Sequence, residues 1–145
     1  MEIPATDMSR SQAFYKTVFG WEFASPSKIP EGITYAMLSK PGTKLAGGML
    51  CVNEGNLIQP KVDSEGKGQA TIRITICVEE VDDALKRIEA AGGVIISYVL
   101  WIMSVLVGGL TDTSPSAKKN IDPNMGYFGL FRDTEGNINS VWSMK

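Results

Sequence analysis

The chain has no histidine, only two cysteines in 145 residues, and no basic run longer than Lys118-Lys119. Without histidine it lacks the commonest neutral metal ligand and the only side chain that titrates near neutrality unperturbed, so Ser-His-Asp and Cys-His mechanisms are excluded. Catalysis would have to use carboxylates, Lys, Tyr or Cys. With 14 basic against 16 acidic residues and a net charge of -2, the chain lacks the electrostatic footprint of a nucleic-acid binder. Cys51 and Cys77 are too few for a disulfide scaffold, and no secretory signal opens the sequence, so two reduced thiols in a cytoplasmic protein are expected.

What is present fits one globular domain: 43% hydrophobic and 21% charged residues, in a chain long enough to bury a core. Glu2 to Ala5 reads as an extended segment whose Pro4 suits a sheet edge. Asp7 is a good N-cap for a helix from about Met8 to Phe19, in which Phe14, Tyr15, Val18 and Phe19 recur at helical spacing before Gly20 ends it. Trp21 to Ala24, Thr34 to Leu38 and Leu45 to Val52 read as strands separated by Pro and Gly turn signals. The first third is therefore βαβββ.

After a polar linker at about 53–68 the order begins again. Thr71 to Val78 alternates, with Ile72, Ile74 and Ile76 on one face and Arg73, Thr75 and Cys77 on the other. A helix from about Val81 to Ala91 buries Val81, Ala84, Leu85 and Ile88 and stops at Gly92-Gly93. Val94 to Tyr98 follows as a strand, and Tyr127 to Phe131 with Ile138 to Ser143 makes a hairpin around Asp133 to Asn137. Aligning Asp7 with Glu80 superposes the two strand-to-helix junctions, a weak internal repeat.

The segments Glu2 to Asp7, Ala13 to Trp21, Ala46 to Leu50, Val81 to Leu85 with Ala91 to Gly93, and Gly126 to Asn137 together resemble the vicinal oxygen chelate superfamily. Glyoxalase I, bleomycin-resistance proteins, fosfomycin-resistance proteins and extradiol dioxygenases belong to it. The resemblance covers nearly the whole chain except about 98–120. It implies an α+β fold: two βαβββ modules, at about 1–52 and 69–145, whose curved mixed sheets enclose a small-molecule cavity within a single domain spanning 1–145. Helices pack outside, so Arg73, Thr75 and Cys77 would face the cavity.

Metal-dependent members of the superfamily use four ligand positions, usually His or Glu. Carried over by distance from the capping acid and the Gly-Asn turn, the first lies ahead of Met1. The others become Arg73, Ser140, and a position near Ala46 or Gly47. Arg73 would repel a cation, and such sites need several N, S or carboxylate donors, so neither a metal nor another cofactor is expected.

Glu2 is the strongest remaining acid, because its parity matches that of Thr75. It is a candidate general base or amine ligand, weighed against a solvated strand-end carboxylate. Arg73 suits a ligand carboxylate or phosphate, weighed against an ion pair with Glu2. Ser140 and Trp142 share the inward parity that the resemblance implies, a hydroxyl and an aromatic wall, although Trp142 is better suited to core packing, the usual role of a buried aromatic. Tyr15 and Trp21 brace the first helix. Gly47-Gly48 and Gly108-Gly109 lack the lysine and following helix of a phosphate loop. Glu79-Glu80 and Asp82-Asp83 need no catalytic explanation at a helix N-terminus.

Ala90 to Thr111 carries no charge, and Val94 to Leu110 within it would cross a bilayer by length alone, but the soluble modules on both sides, the two glycine pairs and the β-branched bias suit buried strands at least as well. The stretch at about 98–120 exceeds the family pattern by about twenty residues, unusual in a compact domain. It reads as an irregular apolar insertion, an unspliced or mispredicted coding segment being one origin and a Val99-to-Val107 dimer surface one use. The expected function is binding of a small organic molecule without the family's metal. The alternatives are an enzyme, either a metal-dependent lyase or dioxygenase or a metal-free isomerase with Glu2 as base, and a domain without ligand.

Overall fold

Pro4 has no N–H to give a neighbouring strand, and β1 (Glu2–Ala5), which contains it, takes the edge of a sheet, paired in parallel with β5 (Ala46–Cys51). The chain reaches α1 (Met8–Phe19) through Asp7, whose extended backbone and carboxylate, accepting the Arg10 N–H at 3.0 Å, start the helix. Gly20, at φ 68°, ends it by donating its N–H to the Lys16 carbonyl. Three further strands follow: β2 (Glu22–Phe23), β3 (Ser27–Lys28) and β4 (Thr34–Ser39). Both β2 and β3 pair with β4, end to end along it, so the edge strand is broken at 24–26. The sequence reading has no counterpart to β3, which at two residues is too short to show alternation.

In this computed structural model, residues 1–30, 32–53, 73–96, 118–122 and 124–145 are described. The chain falls into two compact units, Met1–Ile58 and Gln59–Lys145. Within the first, Ile3, Met49 and Ala36 lie side by side across β1, β5 and β4 and are all buried, which fixes the sheet face that the α1 side covers. Above them Tyr15 stacks on Trp21 at 4.9 Å and 10°, with Phe14 and Phe19 packed around the pair. Such contacts add about 0.5–1.5 kcal/mol beyond the area they bury.

In the second unit β6 (Thr75–Cys77) is followed by α2 (Val81–Ala90), β7 (Val94–Ile96), β8 (Lys118–Asp122), β9 (Gly126–Arg132) and β10 (Ile138–Ser143). The order is β6-β10-β9-β7, with β6 parallel to β10 and β8 also on β9. Glu80 caps α2 by accepting the Asp82 N–H. At the other end Gly92 (φ 88°) and Gly93 return their N–H groups to Glu89 and Ile88. Val81, Ala84, Leu85 and Ile88 are the buried stripe of the helix. Leu85 sits so close over Gly129 that a Cβ there would lie 2.9 Å from its methyl carbons. The β9–β10 hairpin closes on Asp133, whose carboxylate accepts the N–H groups of Glu135 and Asn137 and the Asn137 amide.

Three boundaries differ from expectation by more than one residue. The strand expected over Val94 to Tyr98 is Val94–Ile96, with residues 97 and 98 outside the described ones. Lys118 to Asn120, assigned above to the insertion, belongs to strand β8, held by pairing with β9 rather than by any pattern of its own. The strand expected over Thr71 to Val78 is Thr75–Cys77, with Thr71 and Ile72 outside the described residues. Most of the linker, residues 54–68, and the insertion between Ile96 and Lys118 lie there too.

Candidate functional site

Side chains alternate across a strand, so if Ile3, Ala36 and Met49 turn toward α1, then Glu2, Tyr35, Met37, Gly48 and Leu50 turn away from it. On that face Glu2, Gly48 and Met37 form one cross-strand row, and Pro4, Leu50 and Tyr35 the next. Gly48 leaves a gap in its row, and the Tyr35 side chain fills it: a Cβ at position 48 would fall within the phenol. Having crossed, the Tyr35 hydroxyl donates to Glu2 Oε1 at 3.3 Å. Its pKa is raised above the usual phenol value by partial burial first, then by the charge and hydrogen bond of Glu2. Tyr35 is therefore a proton donor held in its neutral form beside a carboxylate.

Glu2 was expected on this face and is there. Tyr35 was not singled out from the sequence. The signal for it was Gly48, since a glycine inside a strand marks a place where another group comes close.

In the second unit the corresponding face carries Thr75 and Cys77 of β6, Ser140 and Trp142 of β10, and Phe128 and Leu130 of β9. The structure brings two predicted residues into contact: Thr75 Oγ1 and Ser140 Oγ are 2.7 Å apart, and either can donate. Trp142 is half-buried, its indole N–H fixed on the Met125 carbonyl at 2.8 Å, so its ring is held rather than free to turn. Arg73 is exposed and stands just ahead of β6. Cys51 and Cys77 are both free thiols.

The acidic cluster at the start of α2 is occupied. Lys118 Nζ lies 2.6 Å from Glu80 Oε1, 3.3 Å from Asp82 Oδ2 and 4.5 Å from the centre of the Tyr127 ring. The hydrogen bond from Lys118 holds the Glu80 carboxyl below its ordinary value, and the same bond raises Lys118. These are groups of the helix terminus, as the sequence suggested. A groove of about 530 Å³ beside α1, lined by Ser9, Gln12, Lys16, Glu22 and Phe23 among others, contains none of the predicted site residues. Among the described residues, no three Cys, Asp or Glu side chains converge as a metal site would need, and no helix is long and apolar enough to cross a membrane.

Residues 1–41 match the family described as bleomycin resistance protein-like N-terminal. A glyoxylase-like domain-containing protein from Didymella fabae is 32% identical, over 97% of this chain and 88% of that protein. The fold is similar to that of a glyoxylase/bleomycin resistance protein/dioxygenase domain from Frankia sp. EAN1pec, with a TM-score of 0.64, 13% identity, and coverage of 98% of this chain and 92% of that one. It is similar also to a variant of the fosfomycin resistance protein FosX from Listeria monocytogenes, solved with Mn(II) and 1S,2S-dihydroxypropylphosphonic acid. There the TM-score is 0.62 and the identity 14%, over 99% of this chain and 86% of that one.

Proposed function

The chain belongs to the glyoxalase-like proteins of the vicinal oxygen chelate superfamily, and from that premise we propose that it binds a small organic molecule on the helix-free faces of its sheets, without the family's metal centre. In this reading the protein is cytoplasmic, a compartment that the two free thiols support.

The observation that carries the reading is the hydrogen bond between Thr75 and Ser140. Ser140 stands where the resemblance places an acidic ligand, and its oxygen is a neutral hydroxyl already engaged by its neighbour. Arg73, at another of the carried-over positions, is a cation. That donor set does not fit a divalent ion, which needs several anionic or imidazole donors. It does suit orientation of an organic ligand on the second unit's sheet, with two hydroxyls and a guanidinium for polar groups and Trp142 and Phe128 for apolar ones.

Native mass spectrometry of the purified full chain, before and after addition of Mn(II) and Zn(II), tests this. Protein carrying an organic adduct but no stoichiometric metal is the expected spectrum, and the same spectrum reads whether the chain forms a homodimer. A metal ion bound one to one would overturn the metal-free reading and bring lyase or dioxygenase chemistry forward.

A further inference from the structure

We propose that Glu2 and Tyr35 form a recognition pair for a protonated amine carried on an apolar body, and that Gly48 is the residue that lets the pair form. The inference rests on the binding function proposed above and gives it a ligand class.

Three features of the first unit lead to it. Glu2 is exposed and accepts one hydrogen bond, from the phenol, through Oε1. Among the described residues nothing donates to Oε2. A carboxylate oriented at one oxygen and open at the other is arranged to accept from an incoming cationic donor, and charge-assisted hydrogen bonds of this kind are shorter and about twice as strong as neutral ones.

The pair is also built into the strand. Gly48 is not at positive φ, so its backbone does not require glycine; the space does. Any larger residue would occupy the volume of the phenol. The strand thus gives up a side chain on its open face, a choice that weakens strands, so that the phenol can reach Glu2.

The neighbours are apolar. Met37, 58% exposed, occupies the far side of the Gly48 gap in the same row as Glu2, and in the next row half-buried Leu50 lies beside Tyr35 with Pro4 beyond it. An ammonium at Glu2 would therefore have its carbon skeleton over methionine and leucine. An anion of the same shape would meet the carboxylate and be repelled, which gives discrimination as well as attraction.

The test is titration of the full chain by NMR or calorimetry with three compounds of one shape: phenethylamine (protonated), 2-phenylethanol (neutral) and 3-phenylpropanoate (anionic). The amine is expected to bind about tenfold more tightly than the alcohol, in line with the gain from a charged hydrogen bond, and the anion weakest. Glu2→Gln, at an exposed position, should erase the preference for the amine over the alcohol. Gly48→Ala should reduce the preference by displacing the phenol without altering either recognition group. If all three bind equally, or the preference persists in Glu2→Gln, the amine inference is wrong and the binding function stands. If none binds at millimolar concentration, the amine inference is overturned, and the binding function is decided by the adduct spectrum described above.

Discussion

Each module gives up a side chain to a strand glycine, but on opposite sides of its sheet. In the second, Gly129 lies on the helix side and receives Leu85, so the vacancy is consumed by packing. In the first, Gly48 lies on the open side and receives a phenol that goes on to meet a carboxylate. The same device, removal of a Cβ so that a neighbour can cross, makes core in one unit and a polar pair in the other. The face on which a strand glycine falls decides between the two outcomes. The cores differ as well: the first is built on stacked aromatic rings, the second on the aliphatic stripe of α2.

The most severe way to break that comparison is Trp21→Ala. It removes a ring that is 2% exposed and stacked on Tyr15, and should cost about 3–5 kcal/mol, read from urea unfolding. Next comes Gly129→Ala, which forces Leu85 from its seat and should cost about 1–3 kcal/mol. In a Leu85→Ala background the same change should cost much less, and a double-mutant cycle measures the coupling. An equal cost in both backgrounds would show that Leu85 is not what the glycine accommodates.

Asp7→Ala removes the cap of α1 and should cost about 1 kcal/mol, seen as a lower melting temperature. The cap of α2 behaves differently, because Glu80 is tied to Lys118. Glu80 titrates below its unfolded value, so its contribution is present above about pH 4.3 and is lost as pH falls through the folded value. Lys118 titrates above its unfolded value, so its contribution is present below about pH 10.4 and is lost as pH rises through the folded value. Lys118→Met should flatten both limbs of the stability profile, and a wild-type profile in the variant would dissociate the pair from stability. The smallest effect belongs to Tyr35. Glu2→Gln should move its alkaline absorbance titration down toward the ordinary phenol value, leaving the part of the shift that burial causes.

Local chemistry was legible in the sequence wherever a few neighbouring residues decide the structure. Asp7 and Gly20, and Glu80 and Gly92, mark the ends of the two helices because caps act within one turn. The alternation around Ile76 and the hairpin about Asp133 were legible for the same reason. Tyr35 was not, because its meaning depends on register across three strands: Glu2 and Tyr35 are joined only once β1, β5 and β4 are aligned and Gly48 falls between them. Lys118 was read as the tail of an insertion because its neighbours are polar and without periodicity. Its place in β8 comes from pairing with Gly129 and from two carboxylates at the start of α2.

The broken edge strands carry one more consequence. In the first module β2 and β3 follow one another along β4 with only residues 24–26 between them. In the second, β7 and β8 follow one another along β9 in the same manner, and residues 97–117 are spliced into that break. Both strand ends are already fixed by the sheet, so the entropy of closing a longer connection rises only with the logarithm of its length, by about 0.6 kcal/mol for each doubling. The break is thus a permissive address in the topology: a place where chain can be added over evolutionary time, or a reporter peptide grafted by design, with neither hydrophobic core nor strand register being asked to change.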